Sequence, residues 1–232
     1  MIDIIRSEDR GAADHGWLQS RHTFSFADYH NPAMVNYGPL RVINEDWIEA
    51  GKGFGTHPHR DMEIITYMLD GELEHKDSMG NGSVIRPGEL QRMTAGTGVF
   101  HSEFNPSSDT AAHLLQIWLF PEKDGLQPGY EQKLFAPELK QDQWCLIGSR
   151  DGRDGSLTIH QDVNLYASML QTSQSLEMEL KEGRRSFLQV ARGRVAMNDE
   201  ELVGGDAVTI EGKSNLALHA NEDSELLLFD MA

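Results

Sequence analysis

The sequence predicts an all-β chain of two tandem β-barrel or β-sandwich domains, residues 1–125 and 126–232. Three observations carry this. Helical periodicity is scarce, and short apolar runs are punctuated by Gly, Asn-Gly and Pro-Gly. The stretches EIITYMLDGELEHKDSMGNGSVIRPGEL (63–90) and SFLQVARGRVAMNDEELVGGDAV (186–208) share one order of features: apolar strand, Gly, polar strand, turn, strand, Gly-acid pair. Each copy is then followed by a closing apolar strand, HLLQIWLF (113–120) and SELLLFDM (224–231).

In chain order, glycines 51, 53 and 55 let a loop bend tightly into an extended THPH segment. Pro58 donates no hydrogen bond, which suits a sheet edge or strand start. Gly71 closes the next strand, and the hairpin that follows turns at Asn81-Gly82. The second copy repeats this with Gly193 for Gly71, a shorter hairpin turning at Asn198-Asp199, and Gly205-Asp206 for Gly88-Glu89. The linker near 125–150 holds Pro128, Pro137 and a polar LKQDQ run, and helix is expected only in short connections such as 131–142.

Composition narrows the function classes. The chain is long enough for a sizeable core. A net charge of -17 argues against a nucleic-acid or anionic-membrane surface, because Lys and Arg must supply those contacts. A single cysteine, Cys145, excludes an intramolecular disulfide and a thiolate-rich zinc site, which suits a reducing cytoplasm. MIDIIRSEDRG lacks the apolar core of a signal peptide, and no apolar run approaches the ~20 residues of a membrane span.

Two histidine-bearing pairs carry the chemistry. His57 and His59 stand at i and i+2, so in a strand both imidazoles leave one face with Cα atoms ~6.5–7 Å apart. His101 and Glu103, after a Gly-rich turn, form a second such pair. Two same-face pairs on neighbouring strands converge on one centre of three imidazoles and a carboxylate. That set suits Fe, Ni, Cu, Mn or Co, with zinc also compatible, and is poor for Ca²⁺ or Mg²⁺.

The spacing Gly51-x₅-His57-x-His59-x₃-Glu63, followed by Gly98, His101 and Asn105, resembles the two cupin motifs. It departs from them in one extra residue before Gly71 and in Gly96 where a proline is usual. The stretches GWLQSRHTFSFADYHNP (16–32), THPHRDMEIITYMLDGELEHKDSMGN and PGELQRMTAGTGVFHSEFNP resemble the pirin family, closest to bacterial pirin-like quercetin 2,3-dioxygenases. The resemblance implies a bicupin whose N-terminal domain holds a metal, most often Fe(II), through His57, His59, His101 and Glu103. It moves the ligand role from Glu63 to Glu103 and leaves Glu63 an ion-paired or hydrogen-bonded strand residue. The implied reaction opens the heterocycle of a flavonol such as quercetin with O₂ and releases CO, with Glu103 as the catalytic general base. Phe54, Met62 and Phe104 are candidates for the pocket lining. The alternative within the family is a metal-dependent regulator that binds a protein partner. A self-contained bicupin is expected to be a monomer.

Counting from the shared glycines, the second copy places Glu179, Lys181, Leu218 and Ala220 at the four ligand positions, with no imidazole, so a structural domain is expected. His15, His22, His30, His75, His113 and His160 have no partner at metal spacing and read as hydrogen-bonding histidines. The glycine strings lack the strand–turn–helix context of a phosphate loop, and no G-x-S-x-G nucleophile elbow is present.

Overall fold

The computed structural model describes all 232 residues and is almost entirely β, with one four-residue α-helix at Pro137–Lys140. The chain forms two compact units: Gly11–Leu134 with Ile159–Gln161, and Met1–Arg10 with Phe135–Thr158 and Asp162–Ala232. This differs from a single cut at 125/126 at both ends. Ile2–Ile5 pairs antiparallel with Ala207–Glu211, so the first ten residues belong to the C-terminal unit. Gly129–Leu134 pairs with Glu89–Thr94, so part of the expected linker, and of the expected helix around 131–142, is an edge strand of the N-terminal unit. Backbone pairing along a sheet edge decides both, and no local sequence signal reports it.

Each unit has a seven-stranded and a four-stranded sheet. In the N-terminal unit the large sheet runs Gly129–Leu134, Glu89–Thr94, Glu63–Asp70, Ala112–Leu119, Leu40–Ile48, Leu18–His22, Gly11–Asp14. The small sheet runs Gly53–His59, Val99–Phe104, Leu73–Asp77, Gly82–Ile85. In the C-terminal unit the large sheet runs Ile2–Ile5, Ala207–Glu211, Arg185–Arg192, Ser224–Met231, Val163–Leu170, Cys145–Ser149, Leu157–Thr158. Its small sheet runs Ser175–Leu180, Ser214–Ala220, Arg194–Met197, Glu200–Val203. The small sheets and the inner five strands of the large sheets follow one order, as the repeated sequence pattern predicts, while the outermost strands differ: Gly11–Asp14 pairs antiparallel with its neighbour and Leu157–Thr158 parallel. The closing apolar strands are central in both large sheets.

The shared glycines have a shared cause. Gly71 and Gly193 both have positive φ, +71° and +81°, and both lie against the backbone that leads into the closing strand. A Cβ at Gly71 would sit 2.7 Å from Ala111 O, and one at Gly193 would strike Asp223 O. Only glycine meets both demands. Alternation does the rest: Leu18, Ser20 and His22 are buried while Gln19 and Arg21 are exposed, as a half-buried strand requires.

Candidate metal centre

Gly53–His59 is the edge strand of its small sheet, which is where Pro58 can sit without costing a ladder hydrogen bond. It pairs antiparallel with Val99–Phe104, with His57 opposite His101 and His59 opposite Val99. The register then slips, so that Glu103 faces Phe54, the signature of a bulge that turns the edge strand. Gly53 has no room for a Cβ, which would strike the Glu103 carbonyl, so a glycine is required where the two strands close most tightly.

The three imidazoles form a triangle. Ring centroids are 4.8 Å apart for His57 and His59, 4.5 Å for His57 and His101, and 4.8 Å for His59 and His101. One ligand nitrogen from each lies within 4.8 Å of the other two. His57 Nδ1 donates to Gly55 O at 2.8 Å, leaving its Nε2 3.0 Å from His101 Nε2. Glu103 is 4 % exposed, and its Oε1 accepts from Gln116 Nε2 at 2.8 Å and Thr66 Oγ1 at 3.5 Å.

Burial sets the protonation. Burial, then the neighbouring His57, lowers His59 to about 4. Burial, then His57, His59 and His75, lowers His101 to about 2, so both rings are neutral at neutral pH, the form in which an imidazole can hold a metal. Burial pushes Glu103 up to about 7, against the hydrogen bonds from Gln116 and Thr66 that favour its carboxylate.

Sequence reasoning missed the role of His75. It is fully buried, opposite Glu103 on the adjacent strand, with Nδ1 3.4 Å from His101 Nδ1 and Nε2 3.2 Å from Asp77 Oδ2. His75, His101 and Glu103 also meet at ligand distance. Burial opposes the Asp77 charge, but hydrogen bonds from Asn81, His75 and Met79 hold its carboxyl below the usual range. An ionised carboxylate only accepts, so His75 Nε2 carries the proton and Nδ1 is left as an acceptor. His101 then donates through Nδ1 and presents the Nε2 lone pair to His57. Two Nε2 lone pairs 3.0 Å apart repel unless a cation lies between them, and two nitrogens each ~2.1 Å from one ion at a right angle are ~3.0 Å apart. The donor set therefore fits a metal ion.

His57, His59, His101 and Glu103 line a cavity of about 740 Å³ with an aromatic rim. Trp17 meets Phe54 edge-on at 5.2 Å, Trp118 meets His59 at 4.9 Å, and Phe26 meets Trp118 at 5.4 Å. Phe54 lines the cavity as expected, but Met62 and Phe104 do not. Met62 packs on the Ile64, Met93 and Val99 cluster, and Phe104 points to the outer face, 38 % exposed. Glu63 leaves the opposite face of its strand, where its buried Oε2 accepts from His160 N at 3.1 Å and lies 3.3 Å from His160 Nδ1. Asn105 is structural, donating through Nδ2 to Ile48 O and Thr110 O.

The family model described as Pirin matches residues 5–119, and the one described as Quercetinase C-terminal cupin domain matches residues 146–231. The chain is 50 % identical to a protein of Escherichia coli K12 named quercetin 2,3-dioxygenase, over 100 % of this chain and 99 % of the relative. The chain belongs to the pirin family. Among solved pirin structures, YhhW from Escherichia coli superposes with a TM-score of 0.96 at 47 % identity, covering 100 % of this chain and 98 % of that one. A second structure, described as bacterial pirin YhhW in complex with nickel(II), gives a TM-score of 0.94 at 48 % identity, with coverage of 100 % and 99 %. A quercetin 2,3-dioxygenase structure from Acinetobacter baumannii gives 0.74 at 25 % identity, with coverage of 92 % and 80 %.

The pirin duplication also shows what the second copy carries at the ligand positions. Leu73 and Val195 are equivalent, each two residues after its glycine, and the strand registers carry the equivalence onward. Met178 then stands for His57, Leu180 for His59, Leu216 for His101 and Leu218 for Glu103. This corrects the counted positions Glu179, Lys181, Leu218 and Ala220 by one or two residues. The two hairpins differ in length, and only strand pairing sets the register. Glu179 is an exposed charge beside Lys213 at 3.8 Å, and His219 points outward beside Ser175.

Proposed function

We propose that the chain is a metal-dependent dioxygenase that opens the heterocycle of flavonols such as quercetin with O₂ and releases CO. The observation that carries this is the triangle of His57, His59 and His101, with the buried Glu103 at ligand distance from His101, on the wall of an aromatic-lined cavity large enough for a flat ligand. His57, His59, His101 and Glu103 are the residues that would hold a divalent transition metal, with Fe(II) the favoured ion and Ni, Cu, Mn, Co or Zn compatible with the ligand types. When bound, the metal supplies a Lewis acid that lowers the pKa of a flavonol hydroxyl and a site for redox chemistry with O₂.

The chain's own residues set the rest. His75 and Asp77 keep the Nε2 of His101 forward, as hydrogen-bonded partners behind a ligand do. Gln116 and Thr66 hold Glu103 in place by its Oε1. Glu103 is a buried carboxylate beside His101, where a carboxylate oxygen could take the proton of a phenolic hydroxyl and return it later, so Glu103 is assigned the general base. Trp17, Phe26, Phe54 and Trp118 offer apolar faces to a planar ring and exclude water around the reacting bonds. Substrate and O₂ are the partners this reading requires.

Protein purified without oxygen and loaded with iron should consume quercetin and O₂ in equal amounts and release CO. No turnover with iron, nickel, copper, manganese or cobalt would overturn the proposal.

A further inference from the structure

The cavity has a second polar region, joined to the metal ligands through Gln116, whose Nε2 donates to Glu103 at 2.8 Å. Leu18–His22 and Leu40–Ile48 pair with Ser20 opposite Asp46 and His22 opposite Asn44, and all four residues line the cavity. Asp46 is 3 % exposed. Ser20 Oγ donates to its Oδ1, and no other hydrogen bond reaches the carboxylate. His22 Nδ1 donates to Asn44 Oδ1 at 2.8 Å, so that acceptor is already used. Gln116 stands opposite Asn44 on the neighbouring strand, which makes it a diagonal neighbour of Asp46, ~7–8 Å away at the backbone. Its Nε2 is committed to Glu103, while its Oε1 is buried and has no partner.

Asp46 thus lines the cavity with Ser20 as the single donor to its carboxylate, and Gln116 Oε1 is buried without a partner, in a cavity whose remaining lining includes His15, Asp28, the metal ligands, small aliphatic residues and aromatic rings. Buried polar groups are almost always paired, so a ligand that brings O–H donors fits this wall. A ligand that brings carbonyl or carboxylate oxygens to it would set acceptor against acceptor. Burial raises Asp46 to about 6, so at pH 7.5 it is an anion and accepts only.

We propose that Asp46, held by Ser20, is a receptor for the phenolic hydroxyls that the substrate carries beyond the one at the metal. The cavity then selects polyhydroxylated ring systems over the same skeleton without those hydroxyls. This rests on the flavonol reading of the metal centre and names the feature of the flavonol that is recognised. Asp46 acts here as a specificity residue. A site built to hydrogen-bond a substrate hydroxyl discriminates strongly against an analogue that lacks it.

The test uses the full chain loaded with zinc and kept under nitrogen at pH 7.5. Binding of quercetin is compared with that of 3,5,7-trihydroxyflavone, which lacks the two hydroxyls on the pendant ring, by the absorbance change of each ligand. The wild-type protein should bind quercetin roughly 10-fold or more tightly than the analogue. Asp46→Asn keeps the side-chain volume and a partner for Ser20, and should bring the two affinities to within about 2-fold with metal content unchanged. Ser20→Ala should narrow the preference in the same direction. Wild-type protein that binds both ligands equally, or an Asp46→Asn variant that weakens both alike, overturns the subsite and leaves the flavonol reading standing. Metal-loaded wild-type protein that binds neither flavonol overturns both.

Discussion

The N-terminal and C-terminal units use one strand order for opposite ends. Where the first has His57, His59, His101 and Glu103, the second has Met178, Leu180, Leu216 and Leu218. In the C-terminal unit the last three are 2–4 % exposed and belong to one aliphatic cluster with Leu188, Val190 and Leu228. In the N-terminal unit the same interior holds a buried glutamate at about 7, a buried aspartate at about 6 and a row of polar cross-strand neighbours: Thr66, Gln116, Asn44 and His22. The fold carries either filling, so the barrel alone says nothing of chemistry. A polar interior is costly to bury unless partners satisfy its polar groups. An aliphatic interior gains ~1.5–3 kcal/mol for each large side chain removed from water.

The sharpest way to break the comparison is to copy one half into the other. His101→Leu installs the residue that Leu216 shows the scaffold accepts. Elemental analysis should find about one metal ion per wild-type chain and less than about a tenth of that in the variant, a loss of at least ~10-fold from removing one ligand of the set. Circular dichroism should still report a folded β protein. Metal retained at the wild-type level would mean that the C-terminal unit or another cluster holds the ion.

A second effect is confined to the polar half. In metal-free protein, folded Glu103 keeps its proton to about 7, against an ordinary value of 4.5, and Asp46 to about 6 against 3.8. Across those windows these two carboxyls bind more protons in the folded state than in the unfolded one, so their contribution to stability falls as pH rises from about 4 to about 7. His59 and His101, lowered to about 4 and about 2, act in the opposite sense, because the unfolded rings take up protons below 6.5 and the folded ones do not. Glu103→Gln separates the two, because it removes only a carboxyl. In stripped protein the melting midpoint of the wild type minus that of the variant should fall by roughly 5 °C between pH 5 and 7.5. A difference that rises with pH over this range would contradict the assignment.

The smallest effect tests the support behind the ligands. Asp77→Asn can donate to His75 as well as accept, which removes the bias that keeps the His101 Nε2 lone pair forward. Metal affinity measured by competition with a chelator should weaken by roughly 10-fold, with the folded spectrum unchanged. Asp77→Glu should recover part of it. Unchanged affinity in both variants would make the pair a fold-stabilising contact only.

Local rules carried much of the structure. Alternating burial, tight turns and paired glycines marked most strands and the duplication, because each depends on residues close in the chain. The i, i+2 spacing of His57 with His59 and of His101 with Glu103 marked the candidate ligands, because a strand puts such pairs on one face. What tertiary structure alone decided lies across strands. The register put Met178 and Leu180, rather than Glu179 and Lys181, at the second copy's ligand positions. It set His75 behind His101 and turned Glu63 toward His160. It also gathered Ser20, Asp46 and Gln116, from three strands spanning nearly a hundred residues of sequence, onto one cavity wall. Hydrogen-bonded pairing between strands joins residues that no sequence interval connects, and a shift of one residue would send every one of those side chains to the other face.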